Sequence, residues 1–388
     1  MNHEAIYVHI PFCEHICHYC DFNKVFLKNQ PVQEYLDALL KEMKKEQAEH
    51  PATRIRTIYI GGGTPTALTP SQLAYLLKGM KEIFPLEEVE EWTVEVNPDS
   101  AEQEKLQVLF DAGVNRLSIG VQTFDPQLLE IIGRTHRADS VYEAVQTARQ
   151  VGFENLSIDL MFSLPKQTPE SFRDTLKQAF SLNVEHISAY SLKIEEKTVF
   201  YNRQRKGKLQ LPPEEHEVQM YQDLRSMTND AGYEQYEISN FAKDGLKSRH
   251  NIVYWDNASY FGFGAGASGY IEGVRYQNIG PVKQYIDAVE ADKPPRLNTH
   301  HVTKVEQLEE AMFLGLRKRE GLHPDDFLQR YGVRFEDIYN EQISEHLGKG
   351  LLEYHGGALR LTAEGLLLGN EVFESFLAVL EEDPTPVE

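Results

Sequence analysis

Outside one eight-residue window the sequence contains no cysteine: Cys13, Cys17 and Cys20 are all it has. An odd, clustered set excludes a disulfide framework, and in a reducing compartment it reads as a metal site. Basic residues are also scarce, with 39 Lys and Arg against 60 Asp and Glu and a net charge of −21. That balance disfavours a nucleic-acid-binding surface, which shows a basic patch. It leaves small cationic or amphiphilic partners open. No apolar run approaches the roughly 20 residues of a membrane span. No signal-peptide pattern precedes the strand-like Ile6–Ile10, so a cytoplasmic chain is expected. There is no fixed-period repeat and no low-complexity tract.

What is present is a regular alternation. The 388 residues are 41% hydrophobic, enough for a large core and a second, smaller one. Strands are predicted at Ile6–Ile10, Thr57–Ile60, Trp92–Val96, Arg116–Val121, Leu156–Leu160 and His186–Leu192. Helical patterns lie between and after them, at Val32–Gln47, Pro70–Ile83, Glu102–Ala112, Ser140–Val151, Pro169–Leu182 and Glu214–Ala231. Six β–α units predict an α/β fold, a partial (β/α)6 barrel whose chemistry sits at the carboxyl ends of its strands. After Ala231 the pattern changes to an aromatic, glycine-rich stretch. From about Thr303 the chain reads as mainly helical, with a strand near Ala358–Leu361. The expected divisions are a barrel over 1–231, an extension over 232–295, a small C-terminal domain over 296–380, winged-helix-like in pattern, and an acidic tail over 381–388. The boundary before that domain falls in Asp292–His300, which holds Lys293-Pro294-Pro295 and lacks periodicity.

Cys13-Glu-His-Ile-Cys17-His-Tyr-Cys20 follows the first strand. Thiolates at this spacing can hold three corners of a [4Fe–4S] cubane and leave one iron open to S-adenosylmethionine (SAM), whose reductive cleavage yields a radical. The alternative is a zinc site completed by His15 or His18. Gly61-Gly62-Gly63-Thr64 after the second strand lets backbone groups approach a ligand without Cβ clashes. Glu95 and Asn97 follow the third strand, Gln122 ends the fourth, Gly133-Arg134 comes next, and Asp159 lies on the fifth. A guanidinium suits the SAM carboxylate, and carboxylates suit ribose hydroxyls. Read alone, Glu95 and Asp159 serve equally well as structural residues at strand ends.

The run Tyr7-Val-His-Ile-Pro-Phe-Cys13 through Cys20-Asp-Phe22 resembles the coproporphyrinogen III oxidase-like radical-SAM family, and the resemblance covers essentially the whole chain. It implies that Tyr7, Gly62, Gly63, Thr64, Glu95, Gln122, Arg134, Asp159 and Ala189 face SAM. Family dehydrogenases carry a further cysteine two residues beyond the third ligand. Phe22 stands there, which points toward the heme-chaperone branch, the HemW-type proteins. Ser163 occupies a position where relatives carry glycine.

Two segments are similar to that branch: Tyr233-Glu-Gln-Tyr236-Glu237-Ile-Ser239-Asn240-Phe241, and His250-Asn251-Ile-Val-Tyr254-Trp255 with the glycine-rich Tyr260–Gly269. The resemblance makes His250 the leading candidate for axial heme ligation, with Tyr254 and Trp255 packing on the porphyrin and Arg249 or Arg275 meeting its propionates. The competing reading is a hydrogen-bonded histidine in a packed loop. Ser268 replaces a histidine of many relatives, and His300-His301 reads as solvated surface. Glu310–Arg317 and Arg360–Asn370 resemble the branch's C-terminal domain. The function implied is heme transfer to an acceptor, such as a respiratory protein at a membrane, with cluster, SAM and heme as cofactors. Its rivals are an oxygen-independent coproporphyrinogen III oxidase and another radical-SAM enzyme.

Overall fold

The computed structural model describes residues 3–380. Its centre is a sheet in which seven strands run parallel. They are β1 (Ala5–Ile10), β2 (Thr57–Gly62), β3 (Glu91–Val96), β4 (Arg116–Gln122), β5 (Asn155–Phe162), β6 (His186–Ser191) and β7 (Phe261–Phe263). Their order across the sheet is β7-β1-β2-β3-β4-β5-β6. The expected (β/α)6 alternation is therefore present. The glycine-rich stretch adds β7 against β1, pairing Ile6 with Phe261 and Val8 with Phe263. Strands buried on both faces read as continuous apolar runs, and β1 and β4 expose no residue fully.

The connecting helices are capped by local chemistry. Thr69 accepts from the Gln72 amide and Gln72 accepts from that of Thr69, a reciprocal pair repeated at Thr168 with Ser171. Such caps stabilise a helix by about 1 kcal/mol each. Asp125 caps the helix Pro126–Ile132, which stops at Gly133 in the left-handed conformation, φ 76°.

The chain divides into two compact units. Among the described residues, the first holds 3–234, 241–250 and 259–299; the second holds 235–240, 251–258 and 300–380. The expected single crossing at Asp292–His300 is thus one of several, because the segments flanking His250 pass between units. The second unit is mainly helical, with a hairpin of Leu352–His355 and Ala358–Leu361. The tail expected over 381–388 lies outside the described residues. Among the described residues no helix is long and apolar enough to cross a membrane.

Candidate functional site: a thiol-lined cleft at the strand ends

The turns leaving β1, β2, β3 and β4 meet in one cleft of about 970 Å³, its open mouth included. Cys13, Cys17 and Cys20 line it together with Gly62, Gly63, Thr64, Glu95, Gln122, Arg134 and Asp159. The cysteine loop is tied down by its backbone, with the Val25 amide donating to the Pro11 carbonyl and the Leu27 amide to Cys13. Thr64 Oγ1 lies 3.7 Å from Cys13 Sγ. Burial pushes the Cys13 thiol up and the Cys20 thiol up to about 11. A metal that takes them as thiolates must displace those protons.

Glycine is required at the turn. Gly62 has φ 109°, and a Cβ there would lie 2.4 Å from the His9 ring. That ring is itself held, with Nδ1 2.9 Å from Tyr7 Oη and Nε2 2.7 Å from the Asn23 carbonyl. The Gly62 amide donates to Glu95 Oε2 at 3.0 Å, and Tyr59 Oη donates to Glu95 Oε1 at 2.8 Å. Burial, reinforced by Asp159, pushes the Glu95 carboxyl up to about 7. Asp159 is raised by burial as well, and Ser118 Oγ sits 3.2 and 3.3 Å from its two oxygens. Arg134 Nη1 donates to Asn97 Oδ1 at 2.7 Å, while Arg134 Nε is buried without a hydrogen-bond partner. Gly120 makes room for that guanidinium, since a Cβ would fall 2.7 Å from Nη2.

These residues fit the expected groups. A zinc ion needs its ligands about 2.3 Å away on all sides. Among the described residues no three His, Cys, Asp or Glu groups converge in that way. His18 holds a backbone carbonyl, its Nδ1 2.8 Å from Ile131 O. Thiols spread around a cleft suit the corners of a larger cluster. The unpaired Arg134 Nε beside two buried carboxylates suits a zwitterionic ligand such as SAM.

Two expected SAM contacts are not among the cleft's lining residues. Tyr7 is engaged with His9 and stacks on Tyr59 at 6.3 Å. Ala189 is buried within β6 opposite Leu160. Sequence reasoning missed the part played by Ser118, which lies two residues before Gly120 and four before Gln122 on β4. The period of two that puts all three on one face was the available signal. Ser163 has φ 62°, the region that favours glycine, which accounts for the glycine expected there.

His250 lies elsewhere. It is fully buried, with Nδ1 3.0 Å from Thr57 Oγ1 and its amide donating to Glu91 Oε1 at 2.9 Å. Thr57 and Glu91 begin β2 and β3, so His250 packs at the amino ends of the strands, opposite the cleft. Burial, with the Arg116 charge, pushes it down to about 3. The ring is therefore hydrogen-bonded and packed where it stands. Arg249 pairs with Glu90, Arg275 stacks on Tyr270 at 5.0 Å, and His300 lies 2.8 Å from Glu306. Within the second unit the signature segments do converge. Arg317 reaches Glu237 at 3.4 Å and covers the Trp255 ring at 4.3 Å, and Asn257 donates to Glu310 at 3.1 Å.

Known proteins agree with this architecture. Residues 7–179 match the Radical SAM superfamily and residues 302–368 the HemN C-terminal domain. The chain is 50% identical over 378 residues to heme chaperone HemW of Bacillus subtilis, covering 97% of this chain and all of that one. It is 32% identical to mouse mitochondrial radical S-adenosyl methionine domain-containing protein 1, over 97% of this chain and 88% of that one. The solved structure of Escherichia coli coproporphyrinogen III oxidase, HemN, described as a radical SAM enzyme, superposes with a TM-score of 0.84 at 27% identity, covering 98% and 91%. Full-length identity at this level, on a fold with the same two domains, places the chain in the radical SAM superfamily as a member of the HemW heme chaperone family.

Proposed function

We propose that this chain binds heme and passes it to an acceptor protein, on a scaffold that holds a [4Fe–4S] cluster and SAM. The observation that carries the reading is the meeting of three thiols, a glycine turn, two buried carboxylates and a half-satisfied guanidinium in one cleft. Full-length identity to relatives named heme chaperones supports the heme half. Cys13, Cys17 and Cys20 would hold the cluster. Arg134 would take the SAM carboxylate, the Gly62-Gly63-Thr64 turn its amino group, and Glu95 and Asp159 its hydroxyls or sulfonium. Gln122 borders the same space. When bound, cluster and SAM supply one-electron chemistry at the open iron. Three clustered cysteines with no disulfide among them support a reducing compartment, the cytoplasm, as the chain's location. The acceptor class carried over from the resemblance is a respiratory protein at a membrane.

The rival is oxidative decarboxylation of coproporphyrinogen. Phe22 argues against it: the ring borders the cleft, 59% exposed, where the dehydrogenases carry an extra cysteine. An anaerobic assay on reconstituted protein with SAM and reductant separates the two. It follows heme binding by Soret titration and coproporphyrinogen conversion by chromatography. Tight heme binding without conversion is expected. Conversion to protoporphyrinogen would make the chain a biosynthetic enzyme.

A further inference from the structure

The glycine-rich segment Tyr260–Gly269 carries β7, and none of the described residues that line the cleft comes from it. It reaches the cysteine loop all the same, through Asn23, three residues beyond Cys20. Asn23 Nδ2 donates to the Ala265 carbonyl at 2.8 Å and to the Gly280 carbonyl at 2.9 Å. The Asn23 carbonyl lies 2.7 Å from His9 Nε2. One side chain thus ties the loop to two segments that follow it by 242 and 257 residues. Before Cys20, His18 is held in turn to the Ile131 and Ile132 carbonyls. Between these two anchors the loop is tied more loosely, with the Cys20 amide 3.4 Å from the Cys17 carbonyl.

The turn that receives Asn23 is held from behind. The Gly264 amide donates to Glu42 Oε2 at 2.9 Å, and the Ala265 amide to Tyr35 Oη at 3.0 Å. Glu42 also accepts from Asn278 Nδ2 and from Tyr285 Oη, each at 2.6 Å. Tyr35 Oη donates onward to the His9 carbonyl at 2.8 Å. Tyr35, Glu42, Asn278 and Tyr285 are all buried, where such bonds are strong and fix the backbone they hold. Glycine lets the turn close on the loop: Gly266 has φ 78°, and a Cβ there would lie 2.6 Å from Asn23 Cβ. The two carbonyls form a fixed receptor for a short side chain that carries two donor protons. An asparagine amide supplies both, whereas an ionised aspartate of the same shape supplies neither.

We propose that Asn23 is a positioning residue for the iron–sulfur cluster: by anchoring the loop to the glycine turn, it fixes the Cys20 thiol in the cleft. The assignment rests on the cluster reading of Cys13, Cys17 and Cys20. It gives the glycine-rich segment a task at the cluster without a contact to it. With the anchor gone, Cys20 is held from the His18 side alone, and its thiol no longer keeps a set place relative to the Gly62 turn and Arg134.

The test uses the reconstituted full chain with Asn23→Ala and the same-shaped Asn23→Asp. Both should assemble a cluster that a chelator strips about tenfold faster than the parent's, the usual cost of losing a group that orients a metal ligand. Their reduction potential, read by EPR-monitored titration, should rise, because a loosened loop admits water that favours the more highly charged reduced cluster. The change that SAM produces in the reduced EPR signal should weaken in parallel. Asn23→Asp should be at least as impaired as Asn23→Ala, since it sets a carboxylate against two carbonyls; it also covers the case in which alanine fails to fold. Gly266→Ala, which crowds Asn23 from the other side, should move the potential in the same direction. Urea unfolding of the cluster-free chain reports stability separately. Variants with the parent's stripping rate, potential and SAM response, whatever their urea midpoint, would make Asn23 a structural tie only and overturn the proposal while leaving the cluster reading standing. A parent chain that assembles no cluster would instead overturn that reading, and this assignment with it.

Discussion

Arg134 and Asn97 form the hinge of the cleft: Nη1 of one donates to Oδ1 of the other across 2.7 Å, linking the residue after β3 to the segment after the Pro126–Ile132 helix. Asn97 thereby fixes the plane of the guanidinium and leaves Nε unspent. Hydrogen bonds to charged groups contribute about 1.5–3 kcal/mol. Arg134→Ala should therefore weaken SAM binding about tenfold to a hundredfold by calorimetry. Asn97→Ala, which keeps the charge and loses the orientation, should have a smaller effect in the same direction. SAM affinity unchanged in Arg134→Ala would remove that residue from the site.

The raised Glu95 carboxyl makes a signed prediction about pH. Its folded value of about 7 lies above its ordinary 4.5. Between those values the folded chain holds a proton that the unfolded chain has lost. Stability from this group therefore falls as pH rises from about 4.5 through 7, by roughly 3 kcal/mol if the full shift holds. Glu95→Gln should flatten that slope. Urea unfolding of the cluster-free chain at pH 5 and pH 8 should show the variant gaining on the parent at the higher pH. A constant difference at both would show that Glu95 is not the group responsible.

The thiols offer the most direct check of the cluster. Cys17→Ala should abolish cubane absorbance and the reduced-cluster EPR signal after anaerobic reconstitution, since two remaining thiolates cannot hold three irons. A fully retained cluster would sink the assignment of Cys13, Cys17 and Cys20.

Gly62→Ala tests the turn. The added methyl would enter the space of the His9 ring, at 2.4 Å, on a backbone with φ 109°. His9 cannot swing away without losing Tyr7 and the Asn23 carbonyl. Destabilisation of at least about 2 kcal/mol is expected, with loss of SAM binding. Native-like stability would mean that the turn is free to open.

The sequence made much of this legible for identifiable reasons. Six strands are short runs rich in β-branched and apolar residues between longer helical patterns, and most cleft residues lie at or just after their carboxyl ends. The seventh strand, Phe261–Phe263, was hidden by its length and its flanking glycines. Chain crossings around Asn240 and Asn251 have no sequence mark, since short segments exchange between units without proline or polar linkers. Ser118 and Asn97 matter through what they hold, Asp159 and Arg134, and such positioning appears only in three dimensions. His250 was ambiguous because ligand and packed imidazole share one local pattern. In the structure its ring meets Thr57 and its amide donates to Glu91.

Arg317 supplies the last prediction. In the second unit Glu237 is fully buried and accepts from the Ser239 amide at 2.8 Å and from Asn240, with Arg317 Nη2 3.4 Å away as its cation. Burial raises the Glu237 carboxyl, and Arg317 opposes that rise. Removing one partner of a buried pair leaves a charge without compensation, typically about 3–5 kcal/mol. Arg317 is about a quarter exposed, so Arg317→Ala should fall near the lower end, about 3 kcal/mol. The same change uncovers the Trp255 ring, so tryptophan fluorescence reports it locally. Glu237→Gln on the Arg317→Ala background should recover part of the loss, because a neutral amide no longer needs the cation. If Arg317→Ala unfolds at the parent's urea midpoint, the link between the signature segments is incidental. If it unfolds early and the double variant recovers, the Glu237–Arg317 pair holds them together.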